Sequence, residues 1–205
     1  MKELIPIVFE SLKTSNSKDL IKEYTEQAID SLIKSDAVKQ IPLVNIIVDT
    51  VGVVNSIRDY LFVKKVCGFL SRASDVPDDI KMAFLDDLDN DLKLKIKVGE
   101  QVLLFLEQAD DVDKSIISGC VFQAYIKGSI SYSEMSLMLS GINKVPYEHL
   151  TIYMNSGNLQ DEERISLFFS GFMSPTYISA DPLVIASYED TKLGKKFKKI
   201  IAAST

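Results

Sequence analysis

The chain of 205 residues has no tryptophan, one histidine, two cysteines, nine glycines and six prolines. The single histidine, His149, rules out a metal site built on two imidazoles and leaves no histidine to spare beside a nucleophile. Cys67 and Cys120 lack any CxxC or Cys/His spacing, so no zinc site or disulfide framework is encoded and a reducing compartment fits. No GxxxxGK[ST], GxGxxG, GxSxG or HExxH motif occurs, which removes the signatures of nucleotide binding and of the common hydrolases. Basic residues are the minority, 23 Lys and Arg against 29 Asp and Glu, so the net charge is −6. That balance argues against a whole-surface footprint for nucleic acid. The opening residues, Met1 to Glu10, hold only a short apolar run closed by Glu10, without the apolar core and cleavage site of a secretion signal. The expectation is a cytoplasmic, non-enzymatic protein with no cofactor, no metal and no small-molecule substrate.

What is present is ordinary globular material, 46% hydrophobic and 25% charged, long enough to bury a core. Apolar residues at Leu20, Ile21, Tyr24, Ala28, Ile29, Leu32 and Ile33 make a helical stripe, with Asn16 and Asp19 at capping spacing. The most apolar segment follows, Ile41 to Leu70, its first half running from Ile41 through Ile57. Asn45, Asp49, Thr50, Asn55 and Ser56 interrupt it and Arg58-Asp59 closes it, so a membrane span is never reached. A buried helix is expected, with Gly52 as a place to break.

Between Asp75 and Asp113 twelve acids face four lysines, a local balance of 4 − 12 = −8. Pro77-Asp78-Asp79 reads as a helix start, with acids where the macrodipole favours them. Asp87-Leu88-Asp89-Asn90-Asp91 imitates the opening of a calcium loop. Leu92 stands where the turning Gly belongs and Val98 where the bidentate Glu belongs, so a solvated face is expected instead. Helices are expected over Val98 to Leu106, then from an Asp110/Asp113 cap to Gly128, and after the capping box Ser131-Tyr132-Ser133-Glu134. Two short helices follow, Tyr147 to Met154 and Asp161 to Phe172, with His149 on a helix surface. The β-leaning runs 174–179 and 183–188 about Ala180-Asp181-Pro182 predict a hairpin, and Thr191 caps a last helix.

Phe168-Phe169-Ser170-Gly171-Phe172-Met173 before the hairpin and Tyr188-Glu189-Asp190-Thr191-Lys192-Leu193-Gly194 after it resemble the recognition helix, wing and Tyr-x-x-Thr-x-x-Gly run of winged-helix regulators. The resemblance covers about a quarter of the chain and implies a mainly α fold. A helical bundle over 1–144 is expected, with a winged-helix-like unit over 145–205 packed on it and containing one β-hairpin. It also implies a DNA-binding alternative. However, the helix before the wing begins Asp161-Glu162-Glu163, and no Lys or Arg occurs from Ser174 through Tyr188, where phosphate would have to be neutralised. Ser56 to Lys65, Lys97 to Glu100 and Lys114 to Ser131 resemble a group of small bacterial helical proteins. Gly128-x-Ile130-Ser131-x-x-Glu134 is similar to the TerB-like helical fold, and the C-terminal Thr-x-x-Gly-x-x-Phe to the tail of abortive-infection alpha-type proteins, implying a role in stress or phage defence.

Two features carry functional weight. In the first, the apolar 41–57 segment holds Asp49 and ends at Arg58, Asp59, Lys64 and Lys65, a surface for a partner or a segment that a membrane-active effector would expose. The second is Lys192, Lys195, Lys196, Lys198 and Lys199, interleaved with Leu193, Phe197, Ile200 and Ile201. This amphipathic basic helix fits a packed terminal helix, an anionic membrane, or an acidic surface such as the Asp75 to Asp113 pole of a second copy, which would give head-to-tail self-association. A protein partner or self-association is therefore expected.

Overall fold

The computed structural model describes residues 2–13, 40–51, 57–178 and 181–204, but not the side chains of 2, 47–51, 178, 181–184 and 186. The stripe expected over Ser17 to Ile33 lies outside the described residues. Chain contacts divide the molecule into two units, Met1–Ile130 and Ser131–Thr205; among the described residues the first contains helices and the second helices with one antiparallel hairpin.

In the first unit a 3-10 turn at Lys2–Leu4 leads into α1 (Ile5–Lys13), then α2 (Pro42–Val51), α3 (Ile57–Ala73), α4 (Asp78–Asn90), α5 (Leu92–Gln108) and α6 (Val112–Ile126). Of the apolar 41–57 stretch, Pro42–Val51 lies in α2 and Ile57 opens α3; the break expected at Gly52 lies outside the described residues. Ile41, Leu43 and Val44 are buried, and the Leu43 N–H donates to Ser11 Oγ at 2.9 Å, fixing the start of α2 on α1. Ile57, at its far end, is 81% exposed.

The main pair is α3 against α6, which approach closely because Gly68 and Gly119 carry no side chain. A Cβ on Gly119 would strike the Phe69 carbonyl oxygen, and one on Gly68 would lie 3.2 Å from Ile116 Cγ1. Phe69, Phe84, Phe122 and Tyr125 fill the space beside them. Phe69 and Phe122 are tilted at 5.3 Å, and Phe84 meets Tyr125 edge-on at 5.4 Å, arrangements that aromatic quadrupoles favour.

Several helix ends were legible and a few shift. Asp111 caps α6, accepting from the Asp113 N–H at 2.6 Å, while Asp110 turns to Lys114 Nζ at 2.6 Å; the expected cap at Asp110 moves by one residue. The helix expected over Val98 to Leu106 begins at Leu92, because Asp91 caps it by accepting from the Leu94 N–H at 3.0 Å. The Asp87 to Asp91 run therefore belongs to the last turn of α4 and this cap. After α6, Gly128 takes the left-handed conformation (φ 68°). The Ser129 N–H then donates to the Ala124 carbonyl and the Gly128 N–H to that of Tyr125, a Schellman closure.

The second unit comprises α7 (Tyr132–Lys144), α8 (Tyr147–Met154), α9 (Asp161–Phe169), β1 (Met173–Ile178), β2 (Asp181–Asp190) and α10 (Lys192–Ser204). The division places α7 with this unit, ahead of the boundary expected at Lys144. The reason is packing: Gly141 of α7 lies under the Phe172 ring, and Glu134 is bonded to Lys196 of α10. The capping box at Ser131 forms as expected, with Ser131 Oγ accepting from the Glu134 N–H and Glu134 Oε2 accepting from the Ser131 N–H. Tyr153, Phe172 and Phe197 stack at the centre, 4.7 Å apart for Phe172 and Phe197. The strands pair Met173 with Asp190 through Thr176 with Ser187, and a register shift follows between Thr176 and Tyr177.

Candidate interaction surfaces

Thr191 links hairpin and last helix. Its Oγ1 accepts from the Gly194 N–H at 3.0 Å, capping α10, and donates to the Gly171 carbonyl at 2.8 Å. A Cβ on Gly194 would collide with the Phe172 carbonyl oxygen and the Tyr153 hydroxyl, so only glycine fits. Thr191 and Gly194 of the Tyr-x-x-Thr-x-x-Gly run therefore fasten the hairpin to α10.

The five lysines of α10 separate into two groups. Lys198 bonds Asp190 Oδ2 at 2.9 Å over the Tyr153 ring, and Lys196 bonds Glu134 Oε1 at 2.5 Å. The latter contact, with the Ser131 backbone bond, holds the Glu134 carboxyl down at about 2. Lys192, Lys195 and Lys199 are exposed and make no ion pair among the described residues.

The helix ahead of the hairpin presents a different surface. Asp161 and Glu162 are exposed at its first turn, and beyond them Ile165, Phe168 and Phe169 are exposed, Phe169 at 71%. The Phe168 ring meets Tyr188 of β2 at 6.2 Å, so helix and hairpin form one aromatic face. Sequence reasoning missed this face. Phe168, Phe169 and Phe172 look alike as a hydrophobic run, but Phe172 alone is buried, three residues beyond the end of α9.

His149, expected on a helix surface, stands on α8, half-buried and bonded. Its Nδ1 lies 2.9 Å from Ser166 Oγ, which gives its one proton to the Glu163 carbonyl at 2.9 Å. Ser166 thus accepts from the imidazole, the reverse of the polarity by which a histidine activates a serine.

In the first unit, Arg58, Asp59 and Lys65 line one groove with Glu107. Lys64, expected beside Lys65 on a partner-facing surface, is instead 5% exposed with its ammonium over the Tyr60 ring at 5.1 Å. Successive residues of a helix point about 100° apart, and here that offset turns Lys64 inward and leaves Lys65 at the groove. The Asp49 side chain lies outside the described residues. Among the described residues no group of His, Cys, Asp and Glu is placed to hold a metal ion, and no helix is long and apolar enough to cross a membrane.

Comparison with known proteins finds no match: no family model, no curated protein and no solved structure.

Proposed function

We propose that this chain is a non-enzymatic interaction protein that assembles with copies of itself through its C-terminal unit. The observation that carries this reading is the aromatic face of α9 and the hairpin, with Phe169 71% exposed beside the acids Asp161 and Glu162. An exposed aromatic face rimmed by charge is the composition of a protein contact. The same unit carries the complement in Lys192, Lys195 and Lys199. Exposed ion pairs alone contribute little, about 0–1 kcal/mol each, so burial of the aromatic face supplies the affinity and the charges set orientation. Because the two surfaces differ, the contact is head-to-tail and builds chains or rings. The recognition-helix position here is acidic and aromatic and the wing has no Lys or Arg, which supports a polypeptide over duplex DNA. The setting we propose is the bacterial cytoplasm and a stress or phage-defence response, supported by the cysteine usage and by the C-terminal sequence resemblance.

Sedimentation of charge-swapped proteins tests this. Lys195→Glu with Lys199→Glu should reduce assembly, as should Asp161→Lys with Glu162→Lys, and mixing the two variants should restore it, since both contacts between unlike variants pair opposite charges. Equal sedimentation of wild type and both variants would overturn the reading.

A further inference from the structure

The first unit has a groove of about 370 Å³ between α3 and α5, a size in the range of small-molecule sites. Arg58, Phe62 and Lys65 approach it from α3 at spacings of four and three, which place them on one helical face. Leu103, Leu104 and Glu107 approach from α5, and Leu4 closes one end. Its floor is apolar and its charges are placed unevenly.

Lys65 is largely accounted for: its ammonium donates to the Ala109 carbonyl at 3.0 Å, and Glu107 and Asp110 favour its charge. Burial and the Arg58 charge nevertheless hold its pKa below the ordinary lysine value, so the two cations repel. Arg58 is exposed and forms no ion pair among the described residues. The groove therefore pairs a guanidinium that has no ion-pair partner among the described residues with a wall of leucine and phenylalanine. A guanidinium accepts a carboxylate in a two-point fork. Asp59 and Glu107 also line the groove and would oppose a dianion, which disfavours a phosphate monoester.

We infer that this groove binds a small monocarboxylate with an apolar body, its carboxylate on Arg58 and its apolar part against Leu4, Phe62, Leu103 and Leu104. The inference concerns the first unit and does not depend on assembly through the second.

Calorimetric titration of the full chain with octanoate, octylamine and octyl phosphate tests it. Octanoate should bind saturably at one site, octylamine should not, and octyl phosphate should bind more weakly than octanoate. Arg58→Gln and Leu104→Asp, both at exposed positions that leave the buried core intact, should each weaken octanoate at least tenfold. Absence of saturable octanoate binding, equal binding of octylamine, or binding unaltered in Arg58→Gln would overturn the assignment.

Discussion

The Tyr153 hydroxyl donates to Asp190 Oδ1 at 2.9 Å while Lys198 holds the other carboxylate oxygen at 2.9 Å and lies 4.1 Å from the Tyr153 ring centroid. A fully buried aromatic ring, a carboxylate and an ammonium thus join α8, β2 and α10 at one point. Burial and then the Asp190 carboxylate raise the phenol pKa, so it stays protonated and donating through the alkaline range. Tyr153→Phe keeps the stack and removes one bond to a charged acceptor, a loss of about 1.5–3 kcal/mol. Tyr153→Ala also empties the stack and should cost about 3–5 kcal/mol. Urea denaturation of the three proteins should give midpoints in that order.

Two glycines should reject even a methyl group. Gly194→Ala drives a Cβ into the Phe172 carbonyl, and Gly119→Ala drives one into the Phe69 carbonyl, both backbone atoms. Each should destabilise by about 1–3 kcal/mol or more through displaced helices. Gly128→Ala, which meets no neighbouring atom, should cost only the strain of its positive φ. Thermal melts of the three variants distinguish crowding from backbone strain.

A contribution at low pH should come from Glu134. Its carboxyl sits at about 2 in the folded chain against an ordinary 4.5, with the Lys196 bond the largest cause. A depressed carboxyl stabilises above the unfolded pKa, and that contribution is lost as pH falls from about 4.5 towards 2. Glu134→Gln should therefore flatten the fall of melting temperature across that window. A fall as steep as that of wild type would show that the Lys196 contact does not form in solution.

The two thiols should be silent in the native protein. Cys67 is fully buried and its thiol is pushed up to about 12 by burial; Cys120 is also buried. A thiolate is the reactive form. Alkylation at pH 8 should proceed only as fast as the chain opens, and should become rapid in denaturant.

Much of this fold was written in local chemistry. The Ser131 box, the Pro77 start, the Gly128 stop and the Thr191 cap need only neighbouring residues to act, and each appears where its residues stand. The hairpin forms as well, but Asp181 and Pro182, expected in its turn, belong to β2, where Asp181 pairs with Ile178. The start of α5 was hidden because Leu92-Lys93-Leu94-Lys95-Ile96-Lys97 alternates with period two and disguises a helix that Asp91 caps. The surfaces were harder, since they depend on which of two chemically equal neighbours turns inward. Lys64 and Lys65 look the same in sequence, yet tertiary packing buries one and leaves the other in the groove. Phe169 and Phe172 divide likewise. One signal was available: the Arg58, Phe62, Lys65 spacing already marks a single helical face.

Self-assembly is most directly tested by light scattering of the wild-type chain over rising concentration, beside Phe169→Asp. The account predicts a mass that climbs above the 22.9 kDa of one chain, and a variant that stays at that mass with an unchanged melting temperature. A wild-type protein that remains at 22.9 kDa at every concentration would contradict it.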